Sequence, residues 1–146
     1  MAGPRAAIGH LNKSAGMAMT SDRLHKFAAD YTDAWNSGRP TSVASFFRPD
    51  GVITINGGEP WRGTEGIANI AAGFFADVPN LRLVCDGVRA SGNHAVYLWT
   101  FTGTHATTGR ELIVSGWEEW DLDETGLIAK SSGNFDAEDY SRQVGP

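Results

Sequence analysis

Between residues 81 and 134 the chain passes through four strand-like segments in succession, and no other feature constrains the fold as tightly. The segments are Leu81–Ala90, His94–Thr104, Arg110–Asp121 and Leu127–Asn134, rich in β-branched and aromatic residues. The tracts between them, Ser91-Gly92-Asn93, Thr107-Thr108-Gly109 and Asp123-Glu124-Thr125-Gly126, are turn signals too short to hold a crossover. Consecutive strands joined this tightly pair antiparallel, as a meander.

The preceding stretch has a different period. Leu24, Phe27, Ala28, Tyr31 and Trp35 recur at three- and four-residue spacing behind the capping tract Thr20-Ser21-Asp22, which predicts a helix stopped by Gly38. Pro40-Thr41 opens a short second helix with Val43, Phe46 and Phe47 turned inward. Pro49-Asp50-Gly51 reads as a turn and Val52–Ile55 as a short strand, ended by Asn56-Gly57-Gly58. Thr64 caps a third helix that buries Ile67, Ile70, Ala71, Phe74 and Phe75, with Pro79 just past its end. The result is an α+β domain with three helices packed on one face of a mostly antiparallel sheet.

A pocket is implied by the same pattern. Gly103 and Gly116 interrupt the two longest strands where bulges or sharp bends fit. Three helices do not fill the concave side of a long, strongly bent sheet, so a hole remains. Tyr97, Trp99 and Phe101 alternate on one strand face, whereas Trp117 and Trp120 fall on opposite faces of the next strand. With five Trp, seven Phe and three Tyr in 146 residues, the rings must line a core, a pocket or an interface.

Composition closes several function classes. The net charge of −5 comes with no basic stripe to follow a phosphate backbone, so nucleic acid is not an expected partner. No apolar run approaches the length of a membrane span, and residues 1–19 lack the apolar core of a signal peptide, so no membrane partner and a cytoplasmic location are expected. Cys85 is the sole cysteine and reads as a buried, inert thiol. No His, Asp and Glu set has metal-ligand spacing, and there is no HExxH, P-loop or GxGxxG motif, so neither a metal nor another cofactor is expected.

The order of elements resembles the nuclear-transport-factor-2-like superfamily, which includes the ketosteroid isomerases, the SnoaL-type polyketide cyclases, limonene epoxide hydrolase and scytalone dehydratase. The wording that carries the likeness is "YTDAWNSGRPTSVASFF" at residues 31–47, "RPDGVITI", "WRGTEGI" at residues 61–67 and "FTGTHATTGR" at residues 101–110. The resemblance implies a cone-shaped domain over residues 20–140, a cystatin-like roll with a strongly bent, mostly antiparallel sheet wrapped around the N-terminal helices. Residues 1–19 then form a flexible extension or an arm on a partner subunit, and residues 141–146 a tail.

Carried over residue by residue, the resemblance is incomplete. The isomerase's oxyanion-binding tyrosine matches Tyr31, and its acidic second donor falls on Glu118. The isomerase's catalytic base falls on Thr54, the last-strand acid of the cyclases and epoxide hydrolases on Gly133, and the hydrolase's Arg-x-Asp pair on Trp99 and Phe101. None of these can serve as the group it replaces. No established active site of the superfamily is complete.

Parity places Glu118 in one row with Leu112, Val114, Gly116 and Trp120, where an acid is stripped of water and holds its proton further toward neutral pH. Glu118 and Tyr31 are the expected catalytic pair, with Asn56 or His105 assisting, and Trp35, Trp99, Phe101, Trp120 and Phe135 the expected ligand contacts. Against these stand plainer readings: Tyr31 as a core tyrosine, Glu118 as a salt-bridge partner of Arg110 or of a second subunit, Asn56 as a turn residue and His105 as a hairpin residue. Two functions follow. One is a cofactor-free isomerase, cyclase, dehydratase or hydrolase acting by proton transfer on a small hydrophobic molecule; the other is a non-catalytic ligand-binding or assembly domain. The helices cover one sheet face only, so a homodimer through the outer face is also expected.

Overall fold

The computed structural model describes residues 20–146; the N-terminal extension expected at residues 1–19 lies outside the described residues. Helix α1 spans Ser21–Asn36, and its cap is Thr20, whose side chain accepts from the Arg23 backbone N–H. Leu24, Ala28, Tyr31, Ala34 and Trp35 form its buried stripe. Helix α2, Pro40–Ala44, is shorter than its apolar residues suggest. Phe46 falls in the turn after it, and Phe47 already belongs to strand β1, Phe47–Ile55. Pro49-Asp50-Gly51 is thus an irregular stretch inside β1, where the register shifts between Phe47 and Val52, rather than a turn before it. A two-residue strand, β2 (Trp61–Arg62), leads into helix α3, Gly63–Asp77; Arg62 stands at its cap position and Thr64 within its first turn.

The meander follows as β3 (Arg82–Ser91), β4 (His94–Thr104), β5 (Glu111–Leu122) and β6 (Ile128–Phe135). The sheet runs β2-β1-β6-β5-β4-β3. Every pairing is antiparallel except β1 with β6, which is parallel and sets Ile53 beside Ser131 and Ile55 beside Gly133. Helix α1 packs on β3 and α3 on β1, near opposite edges of the sheet, with α2 between them. The sheet therefore curls around the helices, as expected of an α+β cone. A fourth helix, α4 (Ala137–Val144), capped by Asp136, replaces most of the expected tail.

The expected bends do not sit at the glycines. β4 and β5 pair in unbroken register through Gly103 and Gly116, and the shifts fall at Cys85–Gly87 and Asp121–Leu122. Both glycines serve close approach instead: a Cβ on Gly116 would overlap the Asn134 carbonyl and the Trp99 ring, and one on Gly103 would overlap Val78. Among the described residues, no helix is long and apolar enough to cross a membrane.

Candidate functional site

Inward-facing positions of β4 and β5 build the interior. Tyr97, Trp99 and Phe101 alternate along β4, and Gly116, Glu118 and Trp120 lie opposite on β5, paired as Trp99–Gly116, Tyr97–Glu118 and Ala95–Trp120. Because Gly116 has no side chain, the Trp99 indole lies back over it and leaves space in front. That space is a cavity of about 60 Å³. Its walls are aromatic at Trp35 and Phe74 from the helices and at Trp99, Phe101 and Phe135 from the sheet. Ile53, Ile55, Ile70, Leu81, Leu83 and Gly133 complete them, with Glu118.

Glu118 is 7% exposed and is the one titratable side chain in that lining. Three donors converge on its carboxylate from the packed side. Trp120 Nε1 donates to Oε1 at 2.6 Å, Ser131 Oγ donates to Oε1 at 2.8 Å, and the Tyr31 hydroxyl lies 3.0 Å from both oxygens. Burial drives the carboxyl above its ordinary value, and the three hydrogen bonds pull it back without cancelling the rise. Burial first, and the neighbouring Glu118 charge second, raise the Tyr31 hydroxyl well above a normal phenol, so it stays a neutral donor. Tyr97 is likewise raised, mainly by burial, and hydrogen-bonds to Thr32. No ion pair to Glu118 occurs among the described residues, so it bridges neither to Arg110 nor to any other described cation.

The structure thus brings Tyr31 and Glu118 together, but only Glu118 lines the cavity. The Tyr31 hydroxyl reaches the carboxylate from behind, in a fully buried position. Of the residues expected as ligand contacts, Trp35, Trp99, Phe101 and Phe135 line the cavity. Trp120 does not. It is 0% exposed, stacked on Tyr97 at 5.0 Å between ring centres, and only its indole N–H turns toward the site.

Asn56 and His105 are also away from the cavity. Asn56 sits exposed at the end of β1 with φ 52°, and its Oδ1 accepts from the Phe135 backbone N–H, which fixes the start of the turn and the position of a cavity-lining residue. His105 belongs to the β4–β5 hairpin: its N–H donates to the Arg110 carbonyl, and Nδ1 accepts from the Thr107 and Thr108 backbone N–H groups. Thr54 points away from the cavity, because its neighbours Ile53 and Ile55 are the β1 residues that face it. Ser131, which the sequence reading did not single out, is fully buried and directly opposite Trp120 on β6; a small polar residue in the inward phase was its only signal.

Comparison with known proteins places this arrangement. The chain belongs to the SnoaL-like domain family, whose sequence profile matches residues 28–131. No curated protein matches significantly. Among solved structures, a protein with a ketosteroid isomerase-like fold from Catenulispora acidiphila, in complex with trimethylamine, superposes with a TM-score of 0.75 at 17% identity, over 82% of this chain and 92% of that one. TsrD from Streptomyces laurentii gives 0.75 at 22% identity, over 86% and 97%. A protein from Jannaschia sp. CCS1, provisionally assigned as a SnoaL-like polyketide cyclase, gives 0.70 at 15% identity, over 83% and 94%. At these identities the likeness establishes the ketosteroid isomerase-like fold.

Proposed function

We propose that this SnoaL-like domain binds a compact, mainly apolar molecule in the aromatic cavity, with Glu118 as the anchor for the ligand's one polar group. The observation that carries the reading is the placement of a single buried carboxyl in an otherwise apolar lining. A water-sized group needs roughly 10–15 Å³ of such space. The inner space of about 60 Å³ therefore suits a ligand, or the buried end of one, of about four to six non-hydrogen atoms. The protein of the same fold that was solved with trimethylamine is a precedent for a ligand of that size. A thermal-shift screen of compact alcohols, ketones and amines tests the reading, since a ligand bound only by the folded chain raises the midpoint with concentration. Hits that Glu118→Gln weakens support it; hits unaffected by Glu118→Gln and by filling the cavity at Gly133 overturn it.

A second reading, catalysis by proton transfer, is favoured by the raised proton affinity of Glu118. One carboxyl that takes a proton and returns it suffices for an isomerisation. The same single carboxyl also balances an aldol-type cyclisation or a syn-dehydration, in which the proton it takes from carbon is returned to the nascent alkoxide or to the departing hydroxyl. With a substrate in hand, Glu118→Gln should then bind it and abolish turnover.

The outer sheet face supports a homodimer as the assembly. Val84, Leu98, Ile113 and Trp117 are exposed there at 40–63%, and Leu98 and Trp117 are direct cross-strand partners. Ile113→Glu should convert a sedimenting dimer to a monomer; a wild-type monomer at micromolar concentration overturns the assembly.

A further inference from the structure

The surroundings of Glu118 are asymmetric in a way that selects a ligand charge. Three donors and no obligate acceptor surround the carboxyl, and the Trp120 indole N–H can only donate. Such a shell suits an ionised carboxylate, yet no Lys, Arg or His of the described chain pairs with it. Buried charges are ordinarily paired. Oε1 carries bonds from Trp120, Ser131 and Tyr31, whereas Oε2 has the shared Tyr31 hydroxyl alone and keeps acceptor capacity. The remaining walls present five aromatic rings, and the faces of such rings attract cations.

We propose that the ligand of this cavity is a small organic ammonium, paired with ionised Glu118 at Oε2 and enclosed by Trp35, Phe74, Trp99, Phe101 and Phe135. This rests on the cavity being the ligand site and adds the charge of the ligand. The ammonium supplies the cation that the described residues do not. At pH values where Glu118 is neutral in the free protein, binding releases the carboxyl proton to solvent and leaves the carboxylate paired. The titratable groups facing Glu118 are Tyr31 from α1 and Tyr97 from β4, both held neutral by burial; β6 contributes only Ser131. Affinity therefore rises with pH until Glu118 is ionised in the free protein, and then levels off.

The test uses two probes of the same shape, tert-butylammonium chloride and tert-butyl alcohol, titrated into the full chain at matched ionic strength and followed by thermal shift and calorimetry. The ammonium should bind at least tenfold tighter than the alcohol, and its affinity, unlike the alcohol's, should rise with pH until Glu118 is ionised in the free protein. Glu118→Gln should reduce the ammonium to the level of the alcohol. Should that variant fold poorly, Trp99→Leu supplies the second arm: it removes a ring face and should weaken the ammonium severalfold while leaving the alcohol nearly unchanged. Equal binding of the two probes, or ammonium binding unaffected by either substitution, overturns the charge assignment and leaves the cavity reading intact. If neither probe binds, the charge assignment falls together with the cavity reading.

Discussion

The interior of this domain has two aromatic regions that share three elements, one filled and one hollow. Helix α1 contributes Tyr31 to the filled region and, one turn later, Trp35 to the hollow one. Strand β4 passes from Tyr97 to Trp99 and Phe101, and β5 from Trp120 through Glu118 to Gly116. In the filled region the rings of Phe27, Tyr31, Phe46, Tyr97 and Trp120 meet at centroid distances of 5.0–5.6 Å, edge to face except for the Tyr97–Trp120 stack. In the hollow region the ring pairs that line the cavity stand 5.9–6.2 Å apart around open space. Glu118 lies on the boundary, bonded into the filled side and open to the hollow one. The same residue types thus make a core where they interlock and a site where a glycine lets one ring lie back.

The largest expected difference between the regions is energetic. Trp120→Ala should destabilise the domain by about 3–5 kcal/mol, the range for deleting a well-packed large aromatic residue, and it also strips a donor from Glu118. Trp99→Ala removes a ring of equal size from the edge of an existing cavity and should cost about 2 kcal/mol. Urea unfolding of the two variants makes the comparison. Equal losses would mean that the hollow region is as tightly packed as the filled one.

Next in size is Gly116→Ala. The added methyl meets the Asn134 carbonyl and the Trp99 ring at once, and the backbone oxygen cannot give way. A loss of about 1–3 kcal/mol, typical of overpacking, is expected. The Trp99 ring should also be pushed into the cavity, which a change in its fluorescence on ligand addition would report.

Much of this was legible in the sequence. The period of two in β4 put Tyr97, Trp99 and Phe101 on one face, and the same parity turned Glu118 inward and Glu119 outward. The order of the four meander strands and the helix faces followed from short turns and from three- and four-residue spacing, which are local signals. The parallel pairing of β1 with β6 joins distant segments and left no such signal. What parity does not carry is depth along the strand. Trp120 and Trp99 share the inward phase, yet only their tertiary neighbours decide that one is packed and the other lines a void. The role of Gly116 was missed for the same reason: a bulge and a close approach look alike in sequence, and the Asn134 carbonyl that decides between them lies on another strand. Asn56 and His105 carried catalytic chemistry by residue type, but each meets backbone groups first, and nothing in their flanking residues predicted those partners.

A smaller effect, on the slope of stability with pH, tests the boundary itself. The Glu118 carboxyl has a higher proton affinity in the folded chain than in the unfolded one, where its ordinary value is 4.5. In the window between those values the folded state binds more protons, so stability falls as pH rises. The contribution is complete below the unfolded value, is lost as pH climbs through the raised folded one, and changes no further above it. Relative to Glu118→Gln, the wild type should therefore lose stability as pH rises above the ordinary carboxyl value, measured as the difference in urea midpoints followed upward until it changes no further. A difference that stays flat would mean that Glu118 is as well solvated in the fold as out of it.

The smallest change in stability should come with one of the largest in binding, at Gly133. This glycine faces Glu118 across the β5–β6 pair and lines the cavity. A Cβ there stands 3.2 Å from Ile55 Cδ1, the far end of a flexible side chain that itself borders open space, and 3.7 Å from Glu118 Cγ. Ile55 can move by a few tenths of an ångström, and the lost freedom of the unfolded chain favours alanine by about 0.4–1 kcal/mol. The two effects should leave stability within about 0.5 kcal/mol of wild type. The methyl nevertheless takes up space beside the carboxyl in a cavity of only about 60 Å³, so a compact ligand should lose at least tenfold in affinity. Gly73→Ala, on α3 with nothing within 4 Å of the added methyl, is the control that should change neither stability by more than the helix-propensity gain nor binding at all. If Gly133→Ala binds like Gly73→Ala, the ligand does not occupy the hollow region, and the difference between the two aromatic regions is one of packing alone.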